Sequence, residues 1–490
     1  MSIASTDTTP FHRPTKAPSR LHVVRPSTSR PTTSRPSTSP TVTATAVTAT
    51  VPRTVGDALP VPTLGGTVDY ANFDHAASTP ALVSVKAAVD AALRTYSSVH
   101  RGNGFASKVT SAWYEEARAE VGSFVGARED DTVIFTRNTT DSFNLLARAL
   151  PRDTTVFVFE TEHHSTLLPW QDSRTVTLPV PASIEQALED LTAALQQAST
   201  RNRLVVVAGA SNVTGELWPL EKIVRIARRH GARVAVDAAQ LAPHRPIDIE
   251  TTGVDYVAFS GHKLYAPFGA GVLAGRADWL DAAAPYLRGG GATAKVTAAP
   301  VTAATATSAT SATWTTGAAR HEGGSPNVIG AIALAAACAA FSTNRSAIEA
   351  HEESLLARLR RGLAAVPGID TWSIFGETHD RVAVVAFTIE RLDSSLVSAI
   401  LSAEHGIGVR DGKFCAHILV DELLEDPWGE VPATAVRISI GLSNTAEHVD
   451  RLLGALIKLA ADGPQRQYVR TEQGWLPAGD TRKLSLPRPW

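Results

Sequence analysis

From Asp131 onward, short runs of apolar and β-branched residues alternate with amphipathic stretches. The runs TVIFTR (132–137), TTVFVFE (154–160), LVVVAGAS (204–211), ARVAVDAA (232–239) and VDYVAFS (254–260) are apolar at nearly every position rather than at every second one. That pattern predicts strands covered on both faces. Helical patterns fall between most of them. In WPLEKIVRIARRHG, Leu220, Ile223, Val224 and Ala227 recur at helical spacing, Pro219 suits a first turn and Gly231 a stop. The alternation predicts an α/β fold with a mostly parallel sheet flanked by helices.

The run VIGAIALAAACAAF (328–341) predicts a buried helix carrying Cys338. Beyond about 345 the pattern changes to a helix over 346–365, a strand RVAVVAFTIE, a helix near 394–405, a strand AVRISIG and a last helix from Thr445. This predicts a smaller C-terminal α+β domain. The resulting layout is a tail over 1–65, a large domain over 66–344, a small domain over 345–462 and a polar, Pro-rich extension over 463–490 that wraps the surface. The tail is rich in Ser, Thr, Pro and Arg and poor in large apolar residues, so disorder is expected there. It is basic, as a transit peptide is, but lacks the apolar centre of a secretory signal, and a solvated extension suits it better. A second low-complexity stretch, at about 293–313, predicts a surface loop.

Composition narrows the function classes. A formal net charge of -2 over 490 residues gives no global electrostatic case for nucleic acid. The longest apolar run, 328–341, is shorter than the roughly 20 residues of a bilayer span. Two cysteines, Cys338 and Cys415, exclude a disulfide scaffold and point to a reducing, cytoplasmic setting.

In open α/β sheets, ligands gather at the carboxyl ends of the strands. There the sequence sets Thr139 and Thr140, then His163 and His164, Asn212, Asp237 and Gln240, and finally Ser260, His262 and Lys263. Each alone has a plainer role. The threonines could cap a helix, the histidines could be solvated, and Asp237 could belong to a turn. Together they suit an anionic phosphate, a protonated heteroaromatic ring and an aldehyde, which is the chemistry of pyridoxal 5'-phosphate (PLP). A helix start with Thr139 and Thr140 would hold the phosphate, Asp237 the ring nitrogen, Gln240 the phenolic oxygen and His163 the ring face. Lys263 would bond the aldehyde and later shuttle a proton.

The segments NFDHAASTP, SVHRGN, FTRNTTDSFNLLA, ETEHHSTLLPW, ASNVTGE, VDAAQLAPHRPIDI, FSGHKLYAPFGAG, HEGGSPNVIGAIALAA, GIGVRDGKFCAH and VRISIGLSNT carry a resemblance over about residues 68–460. The chain resembles the class V aminotransferase family of PLP fold type I, and within it the SUF-type cysteine desulfurases and selenocysteine lyases. The resemblance implies a Schiff-base Lys263 with Asp237, Gln240 and His163 around the ring. It further implies phosphate ligands Thr140, Ser260 and His262, a cofactor-side Asn212, and Arg437 as the clamp for a substrate carboxylate. Ser325 would reach the phosphate of a neighbouring subunit, which implies a homodimer with shared sites. No metal is implied.

Cys415 discriminates within the family. It lies in RDGKFCAH, a polar stretch with Arg410, Lys413 and His417 nearby, where positive charge favours a thiolate. Its position resembles that of the persulfide-forming cysteine. The implied reaction takes sulfur from L-cysteine, leaves alanine and a Cys415 persulfide, and passes the sulfur to a possible protein acceptor. Two features depart from the SUF pattern. Lys413 and Phe414 stand where two histidines are usual, and the stretch from Cys415 to Arg437, with ELLEDPWGE, is longer. Other readings are a class V aminotransferase, epimerase or C–S lyase in which Cys415 is not catalytic, or a PLP-fold scaffold without catalysis. A zinc site of His163, His164, Asp237 and His262 would lack helix-spaced ligands.

Overall fold

The computed structural model describes residues 49–490 except 101, 172, 299–309, 425–432 and 473. The tail expected over 1–48, the middle of the low-complexity loop and most of ELLEDPWGE lie outside the described residues.

Two helices, α1 (Val83–Ala92) and α2 (Phe105–Phe124), precede a seven-stranded sheet. Its strands are β1 (Asp131–Thr136), β2 (Thr154–Phe159), β3 (Arg174–Leu178), β4 (Asn202–Ala208), β5 (Arg233–Asp237), β6 (Tyr256–Ser260) and β7 (Gly271–Arg276). They lie in the order β1-β7-β6-β5-β4-β2-β3, and only β7 runs against the rest. Every residue of β2 and of β6 is buried, as strands covered on both faces require. The five strands read from the sequence are present within one to three residues of their ends. The sequence reading missed β3, half exposed and rich in Thr, and β7, whose Gly271 and Gly275 imitate a turn. Gly271 is needed for space: a Cβ there would sit 2.5 Å from the Asn138 Cα, at the start of the next helix, α3 (Thr139–Ala149).

The helices expected on either side of 345 form one helix, α4 (Val328–Ala364), of 37 residues. The polar stretch STNRS marks a change of solvent exposure, and it contains no Gly or Pro to end the helix. By length and composition α4 could cross a bilayer, yet half of its most apolar window is buried inside the protein, where it packs against α1 and α2.

A second, antiparallel sheet follows: β8 (Ile369–Thr371), β9 (Val384–Ile389), β10 (Arg410–Gly412) and β11 (Ala435–Ser439), in the order β8-β9-β11-β10. Its core joins Val385, Phe387 and Ile438 to Val449, Leu452 and Leu456 of the helix Ala446–Asp462. Two sets of contacts tie the sheets together. Glu216 accepts backbone hydrogen bonds from Ile374 (2.6 Å) and Phe375 (2.8 Å), and the Gly215 carbonyl accepts one from Val382. The Phe73 carbonyl accepts from Ser439 N at 2.7 Å, which lays Asp74 beside β11.

The tail expected up to residue 65 ends earlier. Thr54 bridges to Leu82, and Pro60–Thr63 pairs with Gly66–Asp69 around a turn in which Thr63 Oγ1 donates to the Gly66 carbonyl. The short pattern VPTLGGTVD carries this hairpin, which the composition of the preceding residues masked. In the C-terminal extension, Tyr468–Thr471 pairs with Gly474–Pro477, and the Tyr468 hydroxyl donates to Glu404 at 2.9 Å.

Candidate active site

The ends of β1, β2, β4, β5 and β6 open into one cavity at the junction of the two sheets. Its first wall is the start of α3. Asn138, not a threonine, caps this helix by accepting from Asp141 N at 3.0 Å. Thr139 and Thr140 therefore occupy the first turn, where the helix dipole favours an anion. Ser260 closes the wall: its Oγ accepts from Thr139 N at 2.8 Å and lies 2.7 Å from Thr139 Oγ1. His262 lines the cavity beside it.

Asp237, the last residue of β5, is 5% exposed. Oδ2 accepts from Thr166 Oγ1 at 2.5 Å and Oδ1 from Ala239 N at 2.9 Å. Burial pushes its pKa up, while these two donors and the nearby Lys263 ammonium pull the other way. Glu162 lies close by and is more deeply buried; one oxygen accepts from Ala208 N at 3.0 Å and the other has no partner. Burial holds the Glu162 pKa well above the carboxylate range, with Asp237 adding to the effect.

His163 stays neutral. Burial first, and then the positive charges of Lys263, His164 and Arg437, depress its pKa to about 3. Ser165 N donates to His163 Nδ1 at 3.0 Å, so the ring carries its proton on Nε2. Lys263 ends the 3-10 turn Gly261–Lys263 that follows β6. Desolvation in the cavity brings its pKa down to about 8, Arg437 helping and Asp237 opposing. Gln240 donates through Nε2 to the Ala76 carbonyl at 2.8 Å.

Arg437, in β11, is 4% exposed. Nη1 donates to the Asn212 carbonyl at 3.0 Å and Nη2 to Asp74 Oδ1 at 3.1 Å, while the buried Nε has no partner. Cys415 stands at the cavity mouth, exposed, and Cys338 is fully buried in α4. The turn carrying Cys415 is left-handed at two successive residues, with φ of 52° at Phe414 and 55° at Cys415. It is held by Asn212 Nδ2 donating to the Phe414 carbonyl (2.8 Å) and His164 N donating to the Cys415 carbonyl (2.8 Å).

Of the strand-end and resemblance-derived residues singled out from the sequence, all line this cavity except His164 and Ser325. Ser325 is exposed, on the segment before α4. That segment is anchored by Glu322, which accepts from Arg118 Nη1 (2.7 Å), Tyr114 Oη (2.9 Å) and Phe135 N (2.7 Å). The sequence reading missed Thr166, Glu162 and Asp74. Asp74 lies in NFDHAAS and could have been paired with Arg437; nothing in the sequence singles out the other two. Among the described residues, no group of three or more His, Cys, Asp or Glu side chains could hold a metal ion.

The donor set fits one kind of occupant. An anion fits at the start of α3, a lysine of lowered basicity stands ready for a carbonyl, and a buried carboxylate lies between.

The class-V aminotransferase family model matches residues 71–452. A protein named probable cysteine desulfurase from Vibrio cholerae is 34% identical over 402 residues, covering 79% of this chain and 92% of its own length. One named cysteine desulfurase from Dickeya dadantii is 35% identical over 380 residues, covering 75% and 86%. Among solved structures, the apo cysteine desulfurase of Thermococcus onnurineus aligns with a TM-score of 0.69 at 30% identity, over 80% of this chain and 94% of that one.

Proposed function

The chain belongs to the class-V aminotransferase family, and from that premise we propose that it is a PLP-dependent cysteine desulfurase acting in the cytoplasm. It removes sulfur from L-cysteine and leaves alanine. The observation that supports this reading best is one cavity lined by Lys263, Asp237, Arg437 and Cys415, in a chain whose relatives carry that name.

Thr139, Thr140, Ser260 and His262, at the start of α3, would hold the phosphate. His163 would cover the ring face, and Asn212 and Gln240 would hold the ring edge. When bound, the coenzyme supplies an electron sink for the charge left at the substrate Cα. Asp237 would pair with the ring nitrogen and keep a proton there. Lys263 would carry the link to the coenzyme aldehyde, and as a free amine it would take the substrate Cα proton and later return one to that carbon. A pKa of about 8 leaves a useful share of neutral amine near neutral pH.

Arg437 binds the substrate carboxylate. The Cys415 thiolate attacks the substrate sulfur. The new S–S bond forms as the Cβ–S bond breaks, and the electron pair of that bond stays with Cβ, which then takes a proton. Cys415 is left as a persulfide, and the carbon skeleton leaves as alanine. The exposed position of Cys415 gives a protein sulfur acceptor access to it.

The exposed Ser325 would reach the phosphate site of a second copy, which favours a homodimer as the working unit.

The test is to supply cysteine and other amino acids and measure sulfide, alanine and keto acid. Sulfide and alanine in equal amounts, lost in a Cys415→Ala variant that keeps its bound coenzyme, support the reading. Keto-acid formation that the same variant retains contradicts it and favours an aminotransferase.

A further inference from the structure

Three contacts make a closed unit of Asn212, Phe414 and Arg437. Asn212 donates through Nδ2 to the Phe414 carbonyl at 2.8 Å, and its own carbonyl accepts from Arg437 Nη1 at 3.0 Å. The third contact is aromatic: Arg437 Cζ lies 5.1 Å from the centre of the Phe414 ring. That ring is 7% exposed and rests on Val213, Ala386 and Leu419, which leaves it little freedom. The left-handed backbone at Phe414 and Cys415 sends one side chain inward and the next out to the cavity mouth.

The two ends of this unit have different duties. The Arg437 guanidinium is fixed on one edge by Asn212 and Asp74 and on one face by the aromatic ring. The Cys415 thiol is fixed by the turn that begins at Phe414. A planar guanidinium is attracted by an aromatic face, and the contact is strongest where water is excluded. An aliphatic side chain of similar volume would fill the space without orienting the arginine.

We propose that Phe414 is a positioning residue that sets the spacing between the Arg437 guanidinium and the Cys415 thiol. It thereby aims the carboxylate clamp and the nucleophile at opposite ends of one small amino acid. This rests on the roles assigned above to Arg437 and Cys415, but its test does not require turnover.

The test is alkylation of Cys415 in the full-length chain by iodoacetate and by iodoacetamide, with the site confirmed by peptide mass. Both reagents attack the thiolate, and only iodoacetate carries a carboxylate for Arg437. The rate ratio of the two reagents therefore reads the clamp, and the iodoacetamide rate checks that the thiol itself is unchanged. Buried Cys338 does not compete. Phe414→Leu lowers the ratio roughly three- to tenfold, and Phe414→Tyr, which keeps the aromatic face, retains it. A ratio unchanged in Phe414→Leu, or one that falls equally in the Leu and Tyr variants, overturns the proposal. Sulfide and alanine production report the assigned reaction separately, so failure of one is distinguishable from failure of the other.

Discussion

Thr166 Oγ1 stands 2.5 Å from Asp237 Oδ2, and both side chains are buried. The hydrogen bond joins the short helix after β2 to the end of β5. It favours the ionised form of a carboxyl group that burial otherwise pushes toward neutrality.

Thr166→Val removes that donor and leaves Asp237 with the Ala239 amide. The Asp237 pKa is already raised in the folded chain, and losing a group that favours the charged form raises it further. The carboxylate is then lost at a higher pH. The acid limb of the kcat/KM profile for cysteine moves up by about one pH unit, while the rate on the alkaline side is retained. A profile that keeps its acid limb in place contradicts the role given to this pair.

Lys263 has a pKa brought down to about 8. Only the neutral amine attacks an aldehyde. The rate at which coenzyme-free protein takes up PLP therefore rises about tenfold per pH unit below this value and levels off above it. The rate is read from the growth of visible absorbance. A rate flat between roughly pH 6.5 and pH 9 counts against a lysine perturbed in this way.

Arg437→Lys keeps the charge and loses the planar fork. With Asn212 and Asp74 holding its edge, the native side chain is aimed before substrate arrives. The substitution lowers kcat/KM for cysteine by roughly ten- to a hundredfold, mostly through KM. A change confined to kcat is the result that does not fit.

Glu322 joins Arg118, Tyr114 and the backbone of Phe135 ahead of α4. Glu322→Ala takes the buried carboxylate from Arg118, which keeps only the half-exposed Glu115 and the Val133 carbonyl, and costs about 2 kcal/mol of stability in urea unfolding. Because this segment carries Ser325, the proposed homodimer is also weakened in this variant, seen as a shift from dimer to monomer in sedimentation. A dimer of unchanged stability speaks against that link.

Much of this was legible in the sequence because the chemistry sits at strand ends. A continuous apolar run such as VDYVAFS announces a strand covered on both faces, and the residues after it are then placed on the rim by topology alone. Lys263, Asp237 and Asn212 were found that way. Arg437 and Cys415 were different. They lie in the second sheet and its loops, and only the resemblance connected them to the rim. The partners that tune the site were hidden for a physical reason. Thr166 and Glu162 act through buried hydrogen bonds across strands, and no local pattern distinguishes them from structural residues. Strand β7 was hidden by Gly271 and Gly275, which the tight packing against α3 and β6 requires. The length of α4 was hidden because a helix that passes from core to solvent changes composition without ending.

The most direct test of the central claim is borohydride reduction of the PLP-loaded protein, followed by proteolysis and mass spectrometry. The account predicts a single stable pyridoxyl label, on the peptide containing Lys263 and on that side chain. A protein that takes up PLP and carries the label on any other lysine, or carries none, contradicts it.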